Sequence, residues 1–369
     1  CGDSYTVVEH KRNTPLVFED TRFEYPASIR KHDALITFSR RSVLQTAAEL
    51  EEKGYRPSVI YGALPYSVRR EEMRKFNYGE TDIIIATDAI GMGINLPIER
   101  IIFLQDTKYD GKTRRSLNVQ EVKQIAGRAG RKGIYDTGYV NSLYNERHIN
   151  KLLNTPYEKI KKACIQVPET LLTLDIPLSV ILEKWIQVKE DGIFFKRDCK
   201  DAYKKALYLE TYCRNMTKEE MWSLICIPVD SEDSIYSVWK NLCSVHYENR
   251  DIRDMLSYDI TLGNRLDILE HNYKVLDLYY AFAKRTDRNK DDNEFMEMIA
   301  REKEQCSMDI IEVLKNNKKE NLKRCTSCGK ILPAIYPYRK CDKCHEKETS
   351  MRMIEQFVEE NLYDDFIFF

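Results

Sequence analysis

The chain of 369 residues has no long apolar run. Its longest, such as 83–86 and 366–369, fall far short of the ~20 residues that cross a bilayer. No basic stretch followed by an apolar one opens the sequence, so membrane-spanning and secreted classes are excluded. It also has no excess of charge. Lys and Arg number 58 against 59 Asp and Glu, a formal charge of −1, so any affinity for nucleic acid must come from a local basic face. There is no internal repeat, and no disulfide framework either. Of the 11 cysteines, an odd total, four (Cys325, Cys328, Cys341, Cys344) form one local pattern and the rest are scattered. Free or metal-bound thiols imply a reducing compartment, here expected to be the cytoplasm. The first residue is Cys1 rather than Met, which reads as the boundary of a fragment.

What is present is an alternation of short apolar runs and amphipathic stretches. Strands are expected at 34–38, 57–61, 82–86, 100–104 and 138–143, with helices at 41–53, 68–76 and 119–126. The unbroken apolar run near 83–86 is typical of a parallel strand covered on both faces. Residues 1–32 look irregular or β-rich. The spacing predicts an open α/β domain over about 33–145, whose ligands bind beyond the carboxyl ends of the strands. Past residue 155 the pattern becomes helical, with 192–195 and 225–229 the best strand candidates. A basic, Asn-rich linker at 315–324 leads to the cysteine pattern, and 350–362 reads as an acidic amphipathic helix.

Two stretches carry chemistry. Gln124-Ile-Ala-Gly-Arg-Ala-Gly-Arg131 is a helix end followed by a turn that Gly127 and Gly130 allow to bend sharply, from which Arg128 and Arg131 project. Paired guanidinium forks on such a turn suit polyphosphate oxygens. Ala86-Thr-Asp-Ala-Ile-Gly-Met-Gly-Ile-Asn95 follows a buried strand directly. There Thr87 and Asp88 can cap the next turn, Gly91 and Gly93 permit close backbone approach, and Asn95 offers an amide.

These two stretches, about 30 residues apart, resemble motifs V and VI of a superfamily-two helicase. Asp33-Ala-Leu-Ile-Thr-Phe-Ser-Arg40 resembles motif IV. The combination is most similar to the degradosome-type RNA helicases of the suppressor-of-var family, known from mitochondria and with bacterial relatives. The resemblance, which covers most of residues 1–320, implies a second RecA-like domain with its lead-in over 1–150 and a helical RNA-channel domain over 151–320; the cysteine spacing and the helical pattern beyond it add an expected zinc ribbon over 321–348 and a helical tail over 349–369. It implies that Arg128 and Arg131 touch the ATP γ-phosphate, with Arg131 as arginine finger, and that Gln124 couples nucleotide to nucleic acid. Gly93 and Asn95 would border the nucleotide. Ser39, Arg40, Gly62, Thr87 and Asp88 would line the RNA backbone, and 106–119 would form a hairpin or loop near the duplex junction. RNA rather than DNA, and a nuclease partner, rest on the resemblance alone.

A helicase of this class also needs G-x-x-x-x-G-K-[ST] and an acidic Mg²⁺ motif. Gly111-Lys112-Thr113 is the sole GKT, with Asp106 where the first glycine would stand, and no DExH or DExD tetrad occurs. The chain is therefore expected to hold one wall of an ATP·Mg²⁺ site, to be inactive alone, and to need a P-loop domain in cis. The competing class is a non-catalytic RNA-binding or assembly module that keeps a helicase-like fold. Finally, Cys325-x-x-Cys328 and Cys341-x-x-Cys344 can close a tetrahedral shell around a structural Zn²⁺. The flanking Lys323, Arg324, Lys330, Arg339, Lys340 and Lys343 favour a nucleic-acid-facing module over a protein-docking one. Cys164, Cys199, Cys213, Cys226 and Cys243 read as small buried hydrophobes.

Overall fold

The computed structural model describes residues 6, 8, 12, 14–91, 95–110, 113–190, 192–229, 234–255, 265–286, 293–316, 322–336 and 338–351. Two units separate, one of residues 1–157 with 315–369 and one of 158–314. The expected tail helix and the terminal Phe run fall almost wholly outside the described residues.

In the first unit the chain forms β1 (Leu16–Phe18), β2 (Asp33–Ile36), α1 (Arg40–Glu52), β3 (Pro57–Ile60), α2 (Tyr66–Asn77) and β4 (Ile83–Ala86). It continues with β5 (Arg100–Phe103), β6 (Thr107–Tyr109), β7 (Arg114–Ser116), α3 (Val119–Ala126), β8 (Gly138–Ser142) and α4 (Glu146–Asn154). Six strands build one parallel sheet in the order β1-β8-β5-β2-β4-β3, the α/β class expected from the alternation. Every residue of β2, β3, β4 and β5 is buried, as befits parallel strands joined by crossover helices. Strand β1 was not legible as a strand. Three residues are too few to show a period, and only their pairing with β8 (Leu16 opposite Gly138) makes them one.

Helix starts obey local chemistry. The Ser39 hydroxyl accepts the Ser42 amide at 3.0 Å to open α1. Asn118 and Glu121 exchange side-chain and backbone bonds in a capping box that opens α3.

In the second unit β9 (Ala163–Ile165) and β10 (Phe194–Lys196) pair in parallel. The rest is helical: α5 (Leu178–Gln187), α6 (Lys200–Tyr212), α7 (Lys218–Ile225), α8 (Tyr236–Tyr247), α9 (Arg265–Ala283) and α10 (Asn293–Asn316). The strand expected at 225–229 is instead the end of α7 and a turn. A Thr217–Glu220 capping box commits the preceding residues to a helix, and the Ile227 amide bonds Leu224 O at 3.2 Å. Trp239 is fully buried, its indole donating to Leu224 O at 3.1 Å. Cys213 and Cys243 are buried as expected, whereas Cys164 and Cys226 are exposed. No helix among the described residues is long and apolar enough to cross a membrane.

Candidate functional site

The carboxyl ends of β2, β3 and β4 adjoin in the sheet, so the loops that leave them share one edge. Ser39 and Arg40 follow β2, Gly62 follows β3, and Thr87 with Asp88 follows β4. Gly62 is exposed with open space where a Cβ would stand. Thr87 is buried, its amide held by Ile60 O at 2.9 Å and its hydroxyl facing the Ala89 amide at 3.3 Å. It thereby opens one 3₁₀ turn, Asp88–Gly91. Residues 92–94, and with them the candidate Gly93, lie outside the described residues.

Asp88 is engaged within the protein. Lys108, on β6, pairs with Asp88 at 2.9 Å and with Glu121 at 2.8 Å. Arg115, on β7, pairs with Glu121 at 2.8 Å and approaches Asp110 at 3.4 Å. Hydrogen bonds from Arg115 above all, then from Lys108 and the Asn118 amide, outweigh burial and hold the Glu121 carboxyl down at about 2. The antiparallel hairpin β6–β7, which presents an exposed Tyr109, is thus fastened at its base to the turn after β4 and to the start of α3.

The end of α3 builds the second half of the site. Gly127 continues the helical turn, with φ at −58°, and an added Cβ would stand 2.8 Å from Lys123 O. Gly130 takes φ +70°, and its Cβ would stand 2.6 Å from the backbone of Gly138. The two glycines therefore serve differently: one permits a close approach, the other a left-handed bend. The Gly130 amide donates to Ile98 O at 2.8 Å, which presses the turn onto the sheet. Arg128 folds back, its Nε donating to Gly91 O at 3.1 Å, and so links the turn after α3 to the turn after β4. Gln124 is exposed and lies over Gly91, where an added Cβ would sit 3.2 Å from its Cγ.

Arg131 behaves otherwise. Among the described residues its guanidinium has neither hydrogen bond nor ion pair. It lines an open cleft of about 490 Å³ together with Asn95, Arg128, Lys132 and Arg12. The structure thus gathers Asn95, Arg128 and Arg131 at one cleft and sets Gln124 beside it. Sequence reasoning missed Arg12. It stands alone in a stretch without periodicity, and nothing local marks it.

The cysteine pattern folds at 322–351. Cys325 and Cys328 lie on a tight turn, closed by bonds from the Gly329 amide to Cys325 O (2.9 Å) and from the Cys325 amide to Lys330 O (2.8 Å). Cys341 and Cys344 instead stand at the start of helical residues 342–351, so the second pair is not a β-knuckle. All four Sγ atoms lie within 4.8 Å of one another, and Cys328 and Cys341 are 3.8 Å apart. A tetrahedral shell with Zn–S bonds of about 2.3 Å has S···S edges of about 3.8 Å, so this donor set fits zinc. Backbone amides, that of Cys341 first, lower the Cys325 thiol to about 6, while hydrogen bonding to Cys341 and Cys328 leads in raising Cys344 to about 12. The module rests on α1, where buried Glu49 accepts the Ala334 amide at 2.6 Å.

Residues 21–133 match the family described as "Helicase conserved C-terminal domain". The chain is similar to the mitochondrial ATP-dependent RNA helicase SUV3 of Oryza sativa subsp. japonica, 33% identical over 338 residues, covering 86% of this chain and 57% of that protein. It is likewise similar to the mitochondrial DExH-box ATP-dependent RNA helicase DExH16 of Arabidopsis thaliana (31% identity, 86% of this chain, 58% of that protein). A third relative is the SUV3 of Saccharomyces cerevisiae (28% identity, 86% and 47%). The chain thus spans about half the length of these relatives. Among solved structures it resembles the C-terminal domain of the DEAD-box protein Dbp5 (13% identity, 54% of this chain, 98% of that chain, TM-score 0.30). The cytoplasmic location expected from the cysteines is overturned, since these SUV3 and DExH16 relatives are named as mitochondrial. Free thiols report a reducing environment and do not distinguish one reducing compartment from another.

Proposed function

We propose that this chain is the C-terminal half of a SUV3-like, ATP-dependent RNA helicase, acting in mitochondria as its relatives' names indicate. A RecA-like lobe bearing a P-loop and an acidic Mg²⁺ motif, neither of which these 369 residues contain, would complete the nucleotide site. The observation that carries the reading is the cleft where Arg131, which pairs with no group among the described residues, converges with Arg128, Lys132 and Asn95. In this reading Arg131 acts as arginine finger on the γ-phosphate, and Arg128 supports it while holding the turn after β4. Asn95, with Gly93, borders the nucleotide. Gln124, lying over Gly91, relays nucleotide state to the loops after β2, β3 and β4. Ser39, Arg40, Gly62, Thr87 and Asp88 line the RNA there. Contacts to the backbone rather than to bases make binding tolerant of sequence and sensitive to salt.

Cys325, Cys328, Cys341 and Cys344 would hold a structural Zn²⁺, which supplies the fold of a segment too short to bury its own core. Zinc analysis in reducing buffer is expected to find one ion per chain, lost on substituting Cys328 and Cys341 together. The motor reading is tested by ATP hydrolysis measured with RNA and with DNA. The chain alone is expected to be inactive, and the chain joined to a P-loop lobe to turn over ATP when RNA is present. RNA-stimulated turnover by the chain alone, or none by the joined protein, would count against it.

A further inference from the structure

Arg12, in the amino-terminal lead-in, reaches the cleft. The Arg12 guanidinium donates from Nε to Thr14 O at 2.6 Å, from Nη1 to Gly127 O at 2.7 Å, and from Nη2 to Ala129 O. Two of these acceptors flank Arg128 in the turn that ends at Arg131. They are carbonyls just beyond the C-terminus of α3, where a helix leaves acceptors without internal partners and where its dipole favours a cation. No carboxylate among the described residues pairs with Arg12, and burial alone pushes its guanidinium down from the ordinary value. A planar fork is needed here. An ammonium is a point charge and cannot reach three divergent carbonyls with the same geometry.

We propose that Arg12 is a positioning residue for Arg131. It fixes the carbonyls of residues 127 and 129 on one side of the turn while Ile98 O holds the Gly130 amide on the other, and so sets the direction in which Arg131 leaves the backbone. With both sides held, Arg131, which has no hydrogen bond or ion pair among the described residues, is aimed without being consumed. Arg12 also adds its own charge to the cleft it shares with Arg128, Arg131 and Lys132, a concentration of cations that suits a polyphosphate. The kinetic part of this inference rests on the nucleotide reading above, whereas the structural part does not.

Two measurements on Arg12→Ala and Arg12→Lys decide it. In the chain by itself, amide hydrogen exchange across 127–131 is expected to quicken about tenfold or more in both variants, as follows from losing a charge-assisted hydrogen bond. Exchange in β2, β4 and β5 stays at the wild-type rate. Unchanged exchange in the turn overturns the inference whatever the enzyme does. In the chain joined to a P-loop lobe, a misdirected Arg131 is expected to lower kcat about 10²-fold in both variants, with KM for ATP little changed in Arg12→Lys, which keeps the charge. Millimolar guanidinium should recover part of the rate of Arg12→Ala. Wild-type kcat in both variants, or equal losses in kcat and in stability without guanidinium rescue, removes the positioning role. If the joined wild-type protein hydrolyses no ATP, the motor reading fails and the exchange measurement still decides the role of Arg12.

Discussion

Two groups of arginines in the first unit, one inside the sheet and one in the turn after α3, are treated in opposite ways. At the amino ends of β2 and β5, Arg100 is 3% exposed and saturated with carboxylates. It grips Asp33 with Nε (2.9 Å) and Nη2 (2.7 Å), donates from Nη1 to Glu19 (2.9 Å), and spends Nη2 again on Ser28 O. Asn141 closes the network by donating to Glu19 at 3.0 Å. Burial lowers the Arg100 pKa, yet Asp33 and then Glu19 raise it further, so the group stays charged. In the turn after α3, which packs on the residues leading into β1, β5 and β8, Arg131 has no partner among the described residues, and Arg12 has only backbone carbonyls. A buried cation matched by carboxylates holds strands together. A half-exposed cation left unmatched among the described residues is free to meet an anion.

The sharpest way to break this contrast is to remove one arginine from each group. In the chain joined to a P-loop lobe, Arg131→Ala is expected to lower ATP turnover by about 10³–10⁵-fold, the range for losing an arginine finger. RNA affinity and the urea midpoint should be almost unchanged, because no hydrogen bond or ion pair to the described residues is lost. Arg100→Ala should do the reverse. It leaves buried Asp33 without its guanidinium, Glu19 keeping Arg30 and Asn141, and is expected to cost about 3–5 kcal/mol in urea unfolding of the chain. If Arg131→Ala destabilised the fold as much as Arg100→Ala does, the division between structural and functional arginines would be wrong.

The same contrast explains how much could be read before the fold was known. The strand–helix alternation made the parallel sheet legible. The glycines and arginines between Gln124 and Arg131 made the turn legible, because each of those signals is local. Arg100 and Asp33 lie 67 residues apart, and Arg12 lies 115 from Gly127, so neither partnership leaves a periodic trace. The ion pair that engages Asp88 was hidden for the same reason, since its partner Lys108 is 20 residues away on a hairpin. Strand 225–229 was misread because an apolar run of β-branched residues cannot reveal that a capping box upstream has already set a helix.

The Lys108 cluster tests the rule from between the two extremes. It sits beyond the carboxyl ends of β4 and β5, yet its cations are matched by Asp88 and Glu121, so the rule assigns Lys108 and Arg115 to holding the shape of the hairpin rather than to ligand contact. Glu121 titrates at about 2 in the folded chain, below the ordinary 4.5 of a glutamate. A depressed carboxyl stabilises the fold fully above its unfolded value and loses that contribution as pH falls through the folded one. Protection of the hairpin and the first turn of α3 from hydrogen exchange should therefore decline between pH 4.5 and 2. Glu121→Gln should show the reduced protection already at pH 7 and no further loss in that window beyond the background of other carboxylates. The effect is small, about 1 kcal/mol, because Arg115 and Asp88 reach solvent and screening weakens the cluster. A variant whose hairpin stays as protected as wild type at pH 7 would show that these charges hold nothing, and would leave them available for the phosphates of a bound strand.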